Sequence, residues 1–135
     1  MSTSRILVSS GTDVESTVGY SRAVRVGPHI AVAGTTGPGT PGDIGAQTRE
    51  ALRRIEIALN EAGAALSDVL RTRIYVTDIS RWREVAVVHA EIFGQIRPAA
   101  TMVEVAALIA PELLVEIEAD AYCGIAANEP STEGR

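Results

Sequence analysis

The sequence is poor in the residues that build disulfides and metal sites. It contains one cysteine, Cys123, and two histidines, His29 and His89. A lone cysteine cannot form a disulfide within the chain, and the histidines lack the spacings and the neighbouring cysteines that are typical of zinc sites. We therefore expect no intramolecular disulfide, no metal ion and no Ser-His-Asp arrangement.

Long apolar stretches and basic charge are also scarce. No uninterrupted apolar run approaches the roughly 18 residues of a membrane-spanning helix, and the first residues, MSTSRILVSS, lack the basic and apolar regions of a secretory signal. The formal net charge is −5 and aromatic residues make up 4% of the chain, which disfavours binding to phosphate backbones or anionic lipid. These absences predict a cytoplasmic protein that binds neither nucleic acid nor membrane.

The sequence does contain enough apolar material for one hydrophobic core. Its 135 residues are 46% hydrophobic and 21% charged, proportions typical of one globular domain. We place that domain at residues 1–123. The remaining residues, 124–135, mix glycine, proline, serine and charge without periodicity and predict a flexible C-terminal tail.

Hydrophobic periodicity predicts six strands and two helices. Alternating or β-branched residues indicate strands at residues 6–9, 20–26, 29–35, 69–78, 101–108 and 114–122. Helical spacing of apolar residues indicates one helix between Asp43, which can cap its start, and Gly63, which ends it. A second helix is expected over residues 82–93, and Gly94 closes it.

The last predicted strand shows which face of the sheet would be buried. Apolar and acidic residues alternate strictly from Val115 to Asp120, so one face would pack on the helices while the other would be polar. A monomer would leave the polar face uncovered, and we expect self-association to cover it. That face is expected to carry Arg71, Arg73, Tyr75, Met102, Glu104 and Glu116.

Several segments form a pattern that resembles a known family. They are GYSRAV, AGTTG, NEAGAALSDVLRTRIYVTDI, RPAATMVEVAAL and LLVEIEADAY. Together they span residues 18–122 and are similar to the Rid family, also described as YjgF/YER057c/UK114 or endoribonuclease L-PSP. The resemblance implies a chorismate-mutase-like α+β fold, with two helices on one face of a six-stranded mixed sheet. It also implies a homotrimer with a small-molecule cleft at each subunit interface.

The same resemblance implies an activity and reveals where this chain departs from it. Family members with known chemistry hydrolyse reactive enamines and imines to 2-keto acids and ammonia, without a cofactor or metal. In them, an arginine after the Pro-Ala of the closing signature binds the substrate carboxylate through a bidentate donor fork. Here that position is Ala100, and the polar residue and glutamine of the third strand are replaced by Ala33 and Thr35. The implied substrate is therefore not the usual 2-imino acid.

Other positions of the family cleft carry over residue by residue. Glu116 stands where the family has a glutamate that positions the attacking water, which requires a carboxylate within hydrogen-bond reach; the alternative is a solvated strand face. Tyr20 matches a tyrosine that borders the cleft and could donate to a substrate oxygen; the alternative is simple packing. Ala100, Thr101 and Met102 are expected to contact the substrate.

Arg73 is the candidate for binding a substrate anion in place of the missing arginine. Arg71 and Arg73 share a face of one strand, and either guanidinium could supply a donor fork; the alternative is that they form ion pairs in a subunit interface. The sequence thus predicts a cofactor-independent hydrolase of a small enamine, imine or related reactive carbonyl compound, with Glu116 catalytic. The alternative is a noncatalytic trimer that binds a small molecule or another protein.

Overall fold

Two long helices pack on one face of a six-stranded mixed sheet in the computed structural model, which describes residues 4–124. The strands are β1 (Arg5–Val8), β2 (Ala23–Val26), β3 (His29–Thr36), β4 (Val69–Val76), β5 (Ala99–Glu104) and β6 (Val115–Tyr122). The helices are α1 (Asp13–Val18), α2 (Ile44–Glu61) and α3 (Trp82–Phe93). The strand order is β1-β2-β3-β6-β4-β5; β4 and β5 are parallel, and every other neighbouring pair is antiparallel.

Helix α2 begins and ends at the predicted capping residues. Asp43 accepts a hydrogen bond from the Ala46 N–H at 2.9 Å, and Gly63 follows the helix with a φ of 82°. The buried side chains are Ile44, Gln47, Thr48, Ala51, Leu52, Ile55, Ala58 and Leu59. Their spacing of three or four residues places them on one face of the helix, which confirms the predicted amphipathic pattern.

The two central strands show the predicted alternation. Along β6, buried residues alternate with partly exposed ones from Val115 to Asp120. On β4, Ile74 and Val76 are buried beneath the helices, while Arg73 and Tyr75 are partly exposed. One face of the sheet therefore carries the core, and the other, which we call the open face, carries the charged residues of β4 and β6.

The short helix α1 does not follow from hydrophobic periodicity. Thr12 caps it by accepting a hydrogen bond from the Glu15 N–H, and Gly19 ends it with a φ of 89°. The Glu15 carboxylate turns back and accepts hydrogen bonds from the hydroxyls of Ser9, Ser10 and Thr12. Thr12 and Glu15 have the spacing of a capping box, which is the sequence signal that identifies this helix.

The pairing of β4 with β5 corrects an expectation about the open face. Met102 lies opposite Ile74, and Glu104 lies opposite Val76. Residues directly opposite each other share a face of the sheet, so Met102 and Glu104 lie on the helix-covered side. The predicted placement of both on the open face is wrong, because strand pairing rather than local pattern determines which residues are opposed.

Some predicted element bounds also differ from the observed ones. Strand β5 ends at Glu104 rather than at residue 108, and β2 begins at Ala23 rather than at residue 20. The tail predicted at residues 124–135 lies outside the described residues, apart from Gly124. Within residues 4–124, no helix is both long and apolar enough to span a membrane.

Candidate functional site

Glu116 lies on the open face at a point where the neighbouring strand has no side chain. The register of β3 against β6 shifts between Val32 and Thr35. Within this irregular stretch, Gly34 lies so close to the Glu116 carboxylate that a Cβ at Gly34 would overlap it. Glycine in a strand often marks such a close approach. The absence of a side chain at Gly34 thus makes the room that the carboxylate occupies.

The surroundings of Glu116 favour its protonated form more than water does. Burial raises the pKa of its carboxyl group, the charge of Glu118 raises it further, and the charge of Arg22 opposes both effects. Within residues 4–124, the Glu116 carboxylate accepts no hydrogen bond, whereas every fully buried side-chain oxygen has a hydrogen-bond partner. The Glu116 carboxylate is therefore not fully buried. The carboxylate is therefore open to solvent and is suited to hold and deprotonate a water molecule.

Arg22 connects the surroundings of Glu116 to Tyr20. Its Nη1 donates to the Gly34 carbonyl oxygen at 2.7 Å and to Thr35 Oγ1 at 3.1 Å, while its Nη2 donates to the Tyr20 hydroxyl oxygen at 3.0 Å. Only 13% of the Arg22 side chain is exposed, so solvent screens its charge weakly. We call Tyr20, Arg22, Gly34 and Glu116 the Glu116 cluster.

Sequence reasoning identified Tyr20 and Glu116 but missed Arg22. Residues two apart in an extended segment point to the same side of the chain. Tyr20 and Arg22 have this spacing immediately before β2, and it is the signal that could have linked them.

Arg73 lies on the open face, where two carboxylates bind it. Its Nη1 donates to Asp120 Oδ2 at 2.8 Å and to Glu118 Oε1 at 3.4 Å. The hydrogen bond and charge of Asp120 raise the pKa of Arg73. Any anionic ligand would have to compete with both carboxylates, which belong to the same chain. A role of Arg73 in binding a substrate anion stays a prediction. The alternative, ion pairs across a subunit interface, also stays a prediction.

The three residues predicted from the closing signature line one groove at the edge of the sheet. This groove lies between α3 and β5 and has a volume of about 250 Å³. We call it the edge groove, and define it by Ile74, Trp82, His89, Ala100, Thr101 and Met102. Among the described residues, no arginine, lysine, aspartate or glutamate contributes to its lining.

His89 is the titratable side chain of the edge groove. Its Nε2 lies 2.9 Å from Thr72 Oγ1, and its ring packs against Phe93 with centroids 4.8 Å apart. Burial lowers the pKa of the imidazole, so the ring is neutral near pH 7. Sequence reasoning missed the hydrogen bond between His89 and Thr72, because Thr72 lies on strand β4 and no local pattern links the two residues. Within residues 4–124, no three His, Cys, Asp or Glu side chains converge as a metal site requires.

The Glu116 cluster and the edge groove lie on opposite faces of the sheet. Glu116 is paired with Tyr75 on the open face, whereas Ala100 and Met102 lie on the helix-covered side of β5. Strand β4 separates β6 from β5, so the two strands are about 10 Å apart at the usual strand spacing. One chain therefore cannot place the same small molecule against both.

Comparison with known proteins identifies the relatives of this chain. Residues 10–123 match the family described as Endoribonuclease L-PSP. A RutC family protein of Pyrococcus abyssi is 39% identical over 109 residues, which cover 76% of this chain and 85% of that protein. The 3-aminoacrylate deaminase RutC of Acinetobacter baylyi is 38% identical over 81 residues, covering 60% of this chain and 64% of that protein.

Solved structures show the same fold. Rv2704 of Mycobacterium tuberculosis, described as a member of the YjgF/YER057c/UK114 family, is 74% identical and has a TM-score of 0.86, covering 88% of this chain and 99% of its own. The YjgF gene product of E. coli is 28% identical with a TM-score of 0.71, covering 76% of this chain and 87% of its own. With its six-stranded mixed sheet and the match over residues 10–123, this chain belongs to the Rid family, also known as YjgF/YER057c/UK114 or Endoribonuclease L-PSP.

Proposed function

We propose that this protein is a cytoplasmic homotrimer that hydrolyses a small enamine, imine or related reactive carbonyl compound in a cleft between subunits. Its substrate is not the usual 2-imino acid, and no cofactor takes part. The observation that carries the proposal is the half-buried Glu116 carboxylate beside Gly34, with its raised pKa and its access to solvent. The name of the A. baylyi relative, a 3-aminoacrylate deaminase, supports the reaction class.

Water is the nucleophile in the proposed reaction. An enamine first gains a proton on carbon and loses one from nitrogen, and so becomes an imine. Water then adds to the imine carbon, the Glu116 carboxylate takes one proton from that water, and the imine nitrogen gains a proton. The amino nitrogen of the tetrahedral carbinolamine takes the proton held by Glu116, the C–N bond breaks and ammonia leaves. The hydroxyl proton is lost as the carbonyl forms, and Glu116 is again a carboxylate. One water is consumed and nothing is oxidised. The sequence contains no lysine, so the pathway uses no Schiff base with the protein.

Tyr20 has a place in this scheme beside Glu116. Its hydroxyl oxygen already accepts a hydrogen bond from Arg22, which leaves the hydroxyl hydrogen to be donated to a substrate oxygen or nitrogen. Arg22 also binds the Gly34 carbonyl oxygen and thereby holds the strand segment that faces Glu116. We propose Tyr20 as a substrate-binding residue and Arg22 as a positioning residue.

The proposal requires several copies of the chain. In one chain the Glu116 cluster and the edge groove lie on opposite faces of the sheet, so a small substrate can contact both only between subunits. The open face also exposes large side chains: 42% of Val103 and 44% of Tyr122 are accessible in the single chain. Burial of such a surface between subunits is favourable. The measurement is sedimentation equilibrium, which should give three times the 14.2 kDa mass of one chain. A single-chain mass at micromolar concentration would contradict the proposed cleft.

The test of the hydrolase uses two reactive substrates generated in place. Serine dehydratase supplies 2-aminoacrylate, and an amine oxidase supplies 4-phenylbutan-2-imine from the corresponding amine. Carbonyl release is compared for the wild type, Glu116→Gln and the control Glu56→Gln, which alters an exposed carboxylate on α2. We expect the wild type and the control to accelerate ketone release from 4-phenylbutan-2-imine, with a loss of about 10² to 10⁴-fold in Glu116→Gln. 2-Aminoacrylate tests the usual 2-imino acid activity, and we expect little or no acceleration of its hydrolysis. If Glu116→Gln accelerated the reaction as much as the wild type does, Glu116 would not be a catalytic residue.

A noncatalytic small-molecule-binding or protein-interaction trimer is the second candidate function. The observation that favours it is the edge groove, in which Ala100 offers no guanidinium to a substrate carboxylate. Binding of a carbonyl compound without acceleration of either imine would support this candidate. It would also exclude the hydrolase for the substrates tested.

A further inference from the structure

The edge groove has the size and lining of a site for an apolar group. Its volume is about 250 Å³, whereas an apolar cavity of about 150 Å³ already holds benzene. Ile74, Met102 and the indole of Trp82 supply apolar surface, and Ala86 and Ala90 leave space along α3. An aromatic ring with a short chain matches this volume.

The same lining disfavours a negatively charged group. Ala100 extends no donor into the groove, and none of the described lining residues is cationic. A carboxylate placed there would lose its hydration without gaining an ion pair, and such a transfer is strongly unfavourable. Arg83 stacks on Trp82 with its guanidinium carbon 4.6 Å from the ring centroid, but it does not line the groove.

His89 supplies the groove with one neutral polar group. Its Nε2 is held by Thr72, whose side chain is fully buried, so the ring orientation is fixed. Within residues 4–124, its other ring nitrogen has no hydrogen-bond partner. A neutral imidazole nitrogen can donate to or accept from one uncharged polar group of a ligand.

We infer that the edge groove binds the uncharged, apolar part of the substrate, with His89 forming one hydrogen bond to it. The substrate class is then a neutral ketimine or enamine that bears an aromatic or bulky aliphatic substituent, and the product is a neutral ketone. The assignment of this group to a substrate rests on the proposed hydrolase. The binding preference itself does not depend on turnover and can be measured separately.

The chain offers a specific spectroscopic probe of the groove. It has two methionines, Met1 and Met102, so labelling with [ε-¹³C]methionine gives two methyl signals, one of them from the groove. The probes are 4-phenylbutan-2-one and 2-oxo-4-phenylbutanoate. They share the phenylethyl ketone skeleton, but the first has a methyl group next to the carbonyl where the second has a carboxylate. We expect the ketone to shift the Met102 signal with an affinity at least about tenfold tighter than that of the keto acid.

Two results would overturn the inference. The first is that the keto acid binds as tightly as the ketone. The second is that the ketone does not change the chemical shift of the Met102 methyl group. If the ketone binds but neither imine is hydrolysed, the groove assignment stands and the proposed hydrolase falls. The two failures are thus distinguishable.

Substitution of Ala100 separates charge from bulk. Ala100→Arg should tighten keto-acid binding at least about tenfold and weaken ketone binding. The matched control, Ala100→Leu, should weaken ketone binding without any gain for the keto acid, because it adds volume and no charge. If Ala100→Arg folds and gains nothing for the keto acid, the missing cation is not what sets the preference.

Discussion

Arg22 Nη2 donates a hydrogen bond of 3.0 Å to the hydroxyl oxygen of Tyr20, and the guanidinium carbon lies 5.4 Å from the centroid of the same ring. Two kinds of contact therefore hold one side chain against the other, and the Arg22 charge is thereby held near Glu116. The charge of Arg22 lowers the pKa of Glu116 against the opposing effects of burial and Glu118. This relationship makes Arg22 the residue that tunes the acidity of the candidate base.

Replacing Arg22 by glutamine should raise the pKa of Glu116 further, because the opposing positive charge is lost while burial and Glu118 remain. The measurement is a ¹³C NMR titration of the Glu116 side-chain carboxyl, assigned by its disappearance in Glu116→Gln. In a turnover assay, the acidic limb of the pH profile should move to higher pH, because hydrolysis requires the carboxylate form.

Arg22→Lys is the matched control for that experiment, because it keeps the charge and loses the planar donor fork. It should leave the Glu116 titration closer to that of the wild type than Arg22→Gln does. A titration curve that is the same in the wild type and Arg22→Gln would show that the Arg22 charge does not reach Glu116.

Gly34→Ala should change the free energy of unfolding by no more than about 0.5 kcal/mol, because only the end of the flexible Glu116 side chain has to move. The new Cβ would overlap the Glu116 carboxylate, which would have to leave its position, so any hydrolysis should fall. Urea denaturation and the imine assay measure the two effects. The control is Gly45→Ala in α2, where the nearest atom to the new Cβ, Asp43 Oδ1, is 3.5 Å away; it should cause no loss. Equal hydrolysis by the two variants would contradict the close approach.

Glu15 should contribute to stability at neutral pH and lose that contribution in acid. Burial raises the pKa of Glu15, but hydrogen bonds from Ser10, Thr12 and Ser9 outweigh it and bring the pKa from an ordinary 4.5 to about 2. Since the folded pKa is the lower one, the stabilisation is fully present above pH 4.5 and disappears as the pH falls through about 2. Glu15→Gln should cost about 1.5 to 3 kcal/mol at pH 7.

Denaturation of the wild type and Glu15→Gln at pH 7, 4 and 3 measures this effect. The stability difference between them should shrink as the pH falls, whereas Glu56→Gln, on an exposed part of α2, should behave like the wild type throughout. A Glu15→Gln deficit that is the same at all three pH values would contradict the role of the charge.

His89 should make the fold less stable below neutral pH. Burial lowers the pKa of His89 from its ordinary 6.5, so the unfolded chain binds a proton more readily than the folded one, and stability falls as the pH drops through 6.5. His89→Gln should flatten the stability profile between pH 7 and pH 5, measured by denaturant unfolding. His29→Gln, which alters the exposed histidine of β3, is the control. A profile that keeps its slope without His89 would assign the pH dependence to other groups.

Much of the fold could be predicted from the sequence because its signals are local. The alternation from Val115 to Asp120 and the helical stripe that starts at Ile44 each depend on residues a few positions apart. Caps such as Asp43 are equally local. The closing signature likewise identified Ala100 and Met102, which line one groove.

The contacts of the candidate site depend on strand pairing between distant segments, and only the tertiary structure decided them. Insertion of β6 between β3 and β4 places Glu116 against Gly34, and the β4 to β5 register turns Met102 toward the helices. A shift of one residue in register would exchange the faces of a whole strand without any change in the local pattern. The sequence by itself determined which residues alternate and where helices begin, because periodicity and capping are properties of neighbours along the chain. The bond between Thr72 and His89 came from packing, because no local pattern specifies how far apart two elements lie.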